Sequence, residues 1–155
     1  MSIKSNLIIC FSVLVLAACT GVTEREKSAF DVGNGSTDDQ KILPGKNTSK
    51  TVLALLQSAN EAARTGKMHR AESQLERALR IEPRNPTLWH YMAKLRLHQD
   101  RHGEAAGMAA KSNALAGRDK KLRTDNWRII AHARHQQGDI KGAQAAQEKI
   151  QSLVN

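Results

Sequence analysis

The chain repeats itself, and the spacing leaves few folds open. Ala71, Ala105 and Ala143 align, the second interval being one helical turn longer than the first. At the same intervals Leu55 aligns with Trp89 and Trp127, Ala59 with Ala93 and Ala131, and Gly66 with Asp100 and Gly138. A period of roughly 20–50 residues marks a unit that buries its apolar face only against copies of itself. Inside each unit the apolar residues recur with the 3.6 period of a helix, and no strand-like alternation appears. The pattern predicts three helix pairs: Thr51–Thr65 with Met68–Ile81, Pro86–His98 with Gly103–Ala114, and Lys121–Gln137 with Ile140–Leu153. Asn85 can cap the helix that Pro86 opens, because a proline's missing N–H is unpaired there anyway. Gly66, Gly117 and Gly138 stand where turns are needed. The longer second interval places its extra turn near "GRDK".

The alanines at 59, 93 and 131, and at 71, 105 and 143, are small where two helices of a pair must approach closely. Trp89 and Trp127 are expected to fill space between neighbouring pairs. Pro83 stops one helix before the next begins. Leu75, Ala78 and Pro83 complete the pattern in "RAESQLERALRIEPRNP". It resembles the tetratricopeptide repeat (TPR), a helical hairpin of about 34 residues. The resemblance implies an all-α fold, a right-handed superhelix of three hairpins at about 51–84, 85–122 and 123–155 within a domain spanning 51–155. Three units are about the minimum for a stable stack. The third unit departs from the pattern at Gln147. Ala62, Arg96 and Arg134 stand where the repeat usually carries an aromatic, a departure expected to loosen the hairpins. The last helix has one apolar stripe, Ile140, Ala143, Ala146, Ile150 and Leu153, opposite a polar face that can cap the stack.

The N-terminus has a different logic. Lys4 is the only charge before Cys19, and the apolar run from Leu7 to Ala18 is broken only by Ser12. That run is far short of the roughly 20 residues of a membrane-spanning helix and fits the core of a signal peptide. It ends in Leu16-Ala17-Ala18-Cys19, which resembles the lipobox of bacterial lipoproteins. The resemblance implies removal of residues 1–18, diacylglycerol on the Cys19 sulfur and an acyl chain on its new amino group. Thr20, rather than Asp, after the cysteine implies transfer to the outer membrane, facing the periplasm. The chain has two cysteines. Cys10 leaves with the signal and Cys19 is taken by lipid, so thiol catalysis and cysteine-ligated metals are excluded. Residues 19–50 hold the lipidated cysteine and a stretch rich in Gly, Ser, Thr, Asn and Asp, expected to be a disordered tether. Its r.m.s. reach is roughly 30 Å.

In TPR stacks the first helix of each hairpin lines the inner groove. Offsets from the packing positions place Leu53, Leu56, Asn60 and Arg64 there in the first unit, His90, Lys94 and His98 in the second, and Arg128, His132 and His135 in the third. A basic groove of this kind can hold an acidic peptide segment or a carboxylate terminus, with protonated histidines strengthening capture below about pH 6.5. It can equally be a solvated face. A metal site is the third reading, since neutral imidazoles ligate Zn, Ni and Cu; against it, no Asp, Glu or Cys completes a set at fixed spacing, and no cofactor is expected. The chain's net charge is +9, nearly all of it in the domain. Export argues against nucleic acid as the counterpart and leaves acidic proteins, lipid phosphates and cell-wall carboxylates.

No nucleophile elbow, phosphate-cradling glycine loop or H-E-x-x-H is present, so no enzyme is expected. "PRNPTLWHYMAKLRLHQ" and "AAKSNALAGRDKKLRTDNWRIIAHAR" resemble the small TPR outer-membrane lipoproteins of gammaproteobacteria. Some members of that group activate a bifunctional (class A) penicillin-binding protein, a peptidoglycan synthase. The resemblance implies a membrane-anchored periplasmic adaptor that regulates such a synthase. The alternative is a pilotin-like assembly factor for an outer-membrane machine such as a type IV pilus secretin.

Overall fold

A computed structural model describes residue 45 and residues 48–155. The signal segment, Cys19 and nearly all of the tether lie outside the described residues. Six helices follow one another: α1 (Lys50–Arg64), α2 (Met68–Ile81), α3 (Pro86–His98), α4 (His102–Leu115), α5 (Lys120–Gln136) and α6 (Ile140–Val154). Among the described residues there is no strand. The helices pair as α1–α2, α3–α4 and α5–α6, and each pair packs on the next.

Each boundary has a local cause. Ser49, Asn85, Asp119 and Asp139 accept hydrogen bonds from the backbone N–H groups of Val52, Thr87, Leu122 and Gly142, satisfying donors that the first helical turn leaves open. The turn inside every hairpin passes through one left-handed residue, Gly66, Asp100 or Gly138, with φ of 74°, 57° and 79°. These are the aligned positions of the repeat, and Asp100 is the one that bears the Cβ cost. The longer second interval also resolves. α5 has 17 residues against 13 in α3. Its start lies one turn ahead of the repeat-equivalent of Pro86. An added helical turn is close to one full rotation, so the faces stay in register.

The alanine register holds for the first two units. Ala59, Ala93, Ala71 and Ala105 are fully buried, and Ala62 is buried with them. Ala131 and Ala143 of the third unit are only half-buried, and no further hairpin covers them among the described residues. Ala133, Gly142, Ala146 and Ile150 close that hairpin instead. Ile140 falls off the expected stripe and is 49% exposed. Trp89 and Trp127 are half-buried rather than sealed between pairs, and the Trp89 indole N–H donates to the Pro83 carbonyl at 2.8 Å.

Arg96 does the opposite of loosening its hairpin. It is 5% exposed where α2, α3 and α4 meet, with Glu72 at 2.5 Å, Glu104 at 3.3 Å and Gln99 at 2.9 Å. The hydrogen bond from Arg96 holds the Glu72 carboxyl at about 2, well below the usual carboxylate range, against burial that would raise it. Arg134, its repeat-equivalent, lacks this setting. Ala106 stands where Glu72 would be and Gly142 where Glu104 would be, so Arg134 stays exposed and reaches only Asp139, at 3.7 Å.

The start of the domain is held down. The Ser49 backbone N–H donates to Glu82 Oε1 at 2.8 Å, and the Asn85 amide donates to Glu82 Oε2 at 2.8 Å and to Thr48 Oγ1 at 3.1 Å. Burial alone would raise the Glu82 pKa, but the bonds from Ser49 and Asn85 outweigh it and lower it. The chain therefore enters the domain pinned to the α2–α3 turn.

Candidate partner-binding face

The first helices of the three hairpins, α1, α3 and α5, place repeat-equivalent residues in rows across the stack. One row is Asn60, Lys94 and His132. Asn60 and Lys94 are half-buried and His132 is exposed. Asn60 Oδ1 is buried without a hydrogen-bond partner. His98 is half-buried one turn beyond Lys94, while Arg64 and His135 are exposed at the turn end of the stack, where Arg64 faces Glu61 at 3.8 Å. Of the expected groove residues, Asn60, Lys94, His98 and His132 thus stay on one polar side of the first helices, with Arg64 and His135 exposed at the turn end.

The neighbouring row is Leu56, His90 and Arg128, and here the expected groove position is corrected. Leu56 is buried, and His90 is 3% exposed. This row is covered by the next hairpin, so its members pack between hairpins. Arg128 is 60% exposed, with no further hairpin packed on α5–α6 among the described residues, and Asp125 takes its guanidinium at 2.6 Å. Neither His90 nor an unpaired Arg128 lines a groove.

His90 instead heads a buried polar chain. Its Nδ1 lies 2.8 Å from Asn126 Oδ1. The Asn126 amide donates to Ser112 Oγ at 2.7 Å and to Asn113 Oδ1 at 3.0 Å. Ser112 Oγ in turn donates to the Pro86 carbonyl at 2.8 Å. Because both donors of Asn126 face oxygens, its own oxygen accepts, and His90 Nδ1 carries the proton. Burial pushes the His90 pKa down to about 4, opposed by the bond to Asn126, so the imidazole is neutral at pH 7 and takes no part in attracting an acidic partner.

The repeat explains what this chain of bonds replaces. His90, Ser112 and Asn126 are the equivalents of Leu56, Ala78 and Leu88. That apolar trio lies in the core joining the first and second hairpins. At the joint between the second and third, the same three places are polar and hydrogen-bonded to one another. The register contained this signal, since all three substitutions can be read by counting from known packing positions.

Among the described residues, no group of three or more His, Cys, Asp or Glu side chains could hold a metal ion. No helix among them is long and apolar enough to cross a membrane.

Stacked helical hairpins with alanines at the close approaches and a polar inner face define a TPR-type protein-interaction scaffold. The tetratricopeptide repeat family matches residues 52–95. The globular C-terminal domain of P. aeruginosa LpoP is similar at 35% sequence identity with a TM-score of 0.64, over 66% of this chain and 97% of that one. The chain belongs to the same family of TPR proteins as that LpoP domain. No curated protein matches it.

Proposed function

We propose that this protein is a lipid-anchored periplasmic adaptor at the outer membrane, and that its TPR domain binds and regulates a class A penicillin-binding protein. One observation carries the reading: 35% identity over 97% of the LpoP C-terminal domain. It joins the resemblance of the sequence to TPR lipoproteins that activate such a synthase. The Cys19 lipobox supports the anchor, and the TPR fold supports a protein partner rather than a catalytic role. The inner face of Asn60, Lys94, His98 and His132, with its basic rim, fits an acidic segment of that partner. The test is crosslinking in cells followed by isolation of the lipidated protein. A penicillin-binding protein is the expected partner, and recovery of a secretin in its place overturns the proposal in favour of a pilotin-like role.

A further inference from the structure

We infer that the end of the stack from which the tether leaves is a membrane-docking face for anionic phospholipid headgroups. Because the helices alternate in direction, the N-termini of α1, α3 and α5 and the C-termini of α2, α4 and α6 share this end. Lys50, Arg80, Arg84, Arg118 and Lys120 lie there, all exposed. Among the described residues, none of these five forms an ion pair within 4.0 Å. The side-chain carboxylates of Glu82 and Asp119 at the same end are engaged locally, Glu82 by Ser49 and Asn85 and Asp119 by the Leu122 N–H. At the opposite end Arg64, Arg101 and Arg134 pair with Glu61, Glu104 and Asp139, while Lys67, Arg70 and Lys141 are exposed there without an ion pair among the described residues and, with Arg64, serve as the control set below.

Arg80, in the last turn of α2, suits its helix, but two of the other charges do not. Lys50 and Lys120 occupy the first turns of α1 and α5, where the helix dipole disfavours a cation, and neither turn contains an acidic residue. A second observation points the same way. Three large apolar side chains are exposed among the described residues, and two of them, Ile81 (50%) and Val154 (69%), sit at this end. Exposed apolar groups among unpaired cations match a membrane interface, where headgroup phosphates meet acyl chains.

The tether favours lipid over an acidic protein or the cell wall as the occupant. Thr48 and Ser49 are pinned to this end, and the chain from Cys19 runs directly into them. This end is therefore the part of the domain kept nearest the anchor. That step rests on the lipid-anchor reading above, whereas headgroup binding itself does not.

The experiment uses the full mature chain, residues 19–155, carrying Cys19→Ser so that no lipid contributes. Binding is measured by co-sedimentation with phosphatidylethanolamine vesicles, with and without phosphatidylglycerol. The chain is expected to bind only the phosphatidylglycerol vesicles, and less so in high salt. Arg80→Gln/Arg84→Gln/Arg118→Gln/Lys120→Gln should weaken that binding by roughly tenfold or more. The charge-matched set Arg64→Gln/Lys67→Gln/Arg70→Gln/Lys141→Gln, at the opposite end, should leave it within about twofold. Ile81→Ser/Val154→Ser should weaken it with the charge unchanged. Circular dichroism melts check that each variant is folded. Equal losses from the two quadruple sets would reduce the effect to net charge and overturn the proposal. So would absence of vesicle binding, or pelleting with purified peptidoglycan but not with vesicles. Loss of lipid labelling at Cys19 in cells is read separately, so failure of the anchor is distinguishable from failure of this face.

Discussion

At the scale of single residues, two ionisable groups set how the domain responds to acid, and they act in different windows. His90 is held near 4, below its ordinary 6.5. The unfolded chain binds that proton more readily, so His90 contributes stability fully above about pH 6.5 and loses it as the pH falls through about 4. Wild-type stability, measured by urea unfolding, should drop by about 2–3 kcal/mol between pH 7 and pH 4 from this group. Glu72 is also depressed, to about 2 from 4.5, so its contribution is present above about pH 4.5 and fades toward pH 2. Glu72→Gln leaves the Arg96 guanidinium buried with only Glu104 as counter-charge. The expected cost at pH 7 is roughly 2–3 kcal/mol, below that of a fully isolated buried charge. The same substitution should cost little at pH 2, where wild-type Glu72 is itself half-protonated. Equal destabilisation at both pH values would show that the pair is not what matters at this site. Ala105 supplies the packing counterpart: it is fully buried, and Ala105→Leu should cost roughly 1–3 kcal/mol by overpacking, read as a lowered thermal midpoint.

At the scale of helices and their joints, the two interfaces between hairpins are built from different chemistry in the same places. Leu56, Ala78 and Leu88 join the first pair to the second, and His90, Ser112 and Asn126 join the second to the third. Asn126→Leu alone strands the His90 N–H and takes away the donor to Ser112 Oγ, whose own hydroxyl keeps its bond to the Pro86 carbonyl, so it should destabilise by about 1–3 kcal/mol. His90→Leu/Ser112→Ala/Asn126→Leu copies the chain's own apolar joint. It should be neutral or stabilising at pH 7 and should flatten the response between pH 6.5 and 4. Denaturant midpoints of the single and triple variants across pH decide this, and a triple variant as unstable as the single one would mean that the two joints differ in shape as well as polarity. The hairpins are legible in the sequence because alanine at a close approach, a left-handed turn residue and a capped start are local requirements. The faces are less so. Counting offsets inside one hairpin puts His90 in the groove, whereas burial of that row is imposed by the next hairpin. The repeat's preference for an aromatic makes Arg96 look like a weak point. Its carboxylate partners, Glu72 and Glu104, belong to α2 and α4, helices that meet α3 at this point only in three dimensions.

At the scale of the whole molecule, the proposed anchor and the domain can be tested apart. Cys19→Ser should abolish labelling by a palmitate analogue and leave only a salt-sensitive association with the membrane fraction, with the helical circular dichroism of the purified chain unchanged. Persistent labelling would remove the lipobox assignment. The inner face has its own test. Lys94→Glu/His132→Glu should weaken binding to the isolated synthase at least roughly tenfold while costing under about 1 kcal/mol of stability, since both residues are at least partly exposed. Wild-type binding should weaken with salt as the Debye length shrinks from about 10 Å at 0.1 M to about 3 Å at 1 M. Titration of both proteins at two salt concentrations measures this, and equal, salt-independent affinities would leave the inner face as solvated surface.

The pinning of Thr48 and Ser49 to Glu82 and Asn85 also has a mechanical meaning. A domain strung between a membrane and a distant partner carries tension, and tension on a free helix end peels it one turn at a time. Here the entry point is tied through Glu82 to the end of α2 and through Asn85 to the start of α3, so under the proposed anchor a load reaches the second hairpin as well as α1. Glu82 is the rivet of that joint. Without it, α1 becomes the first thing to unzip when the line is drawn tight.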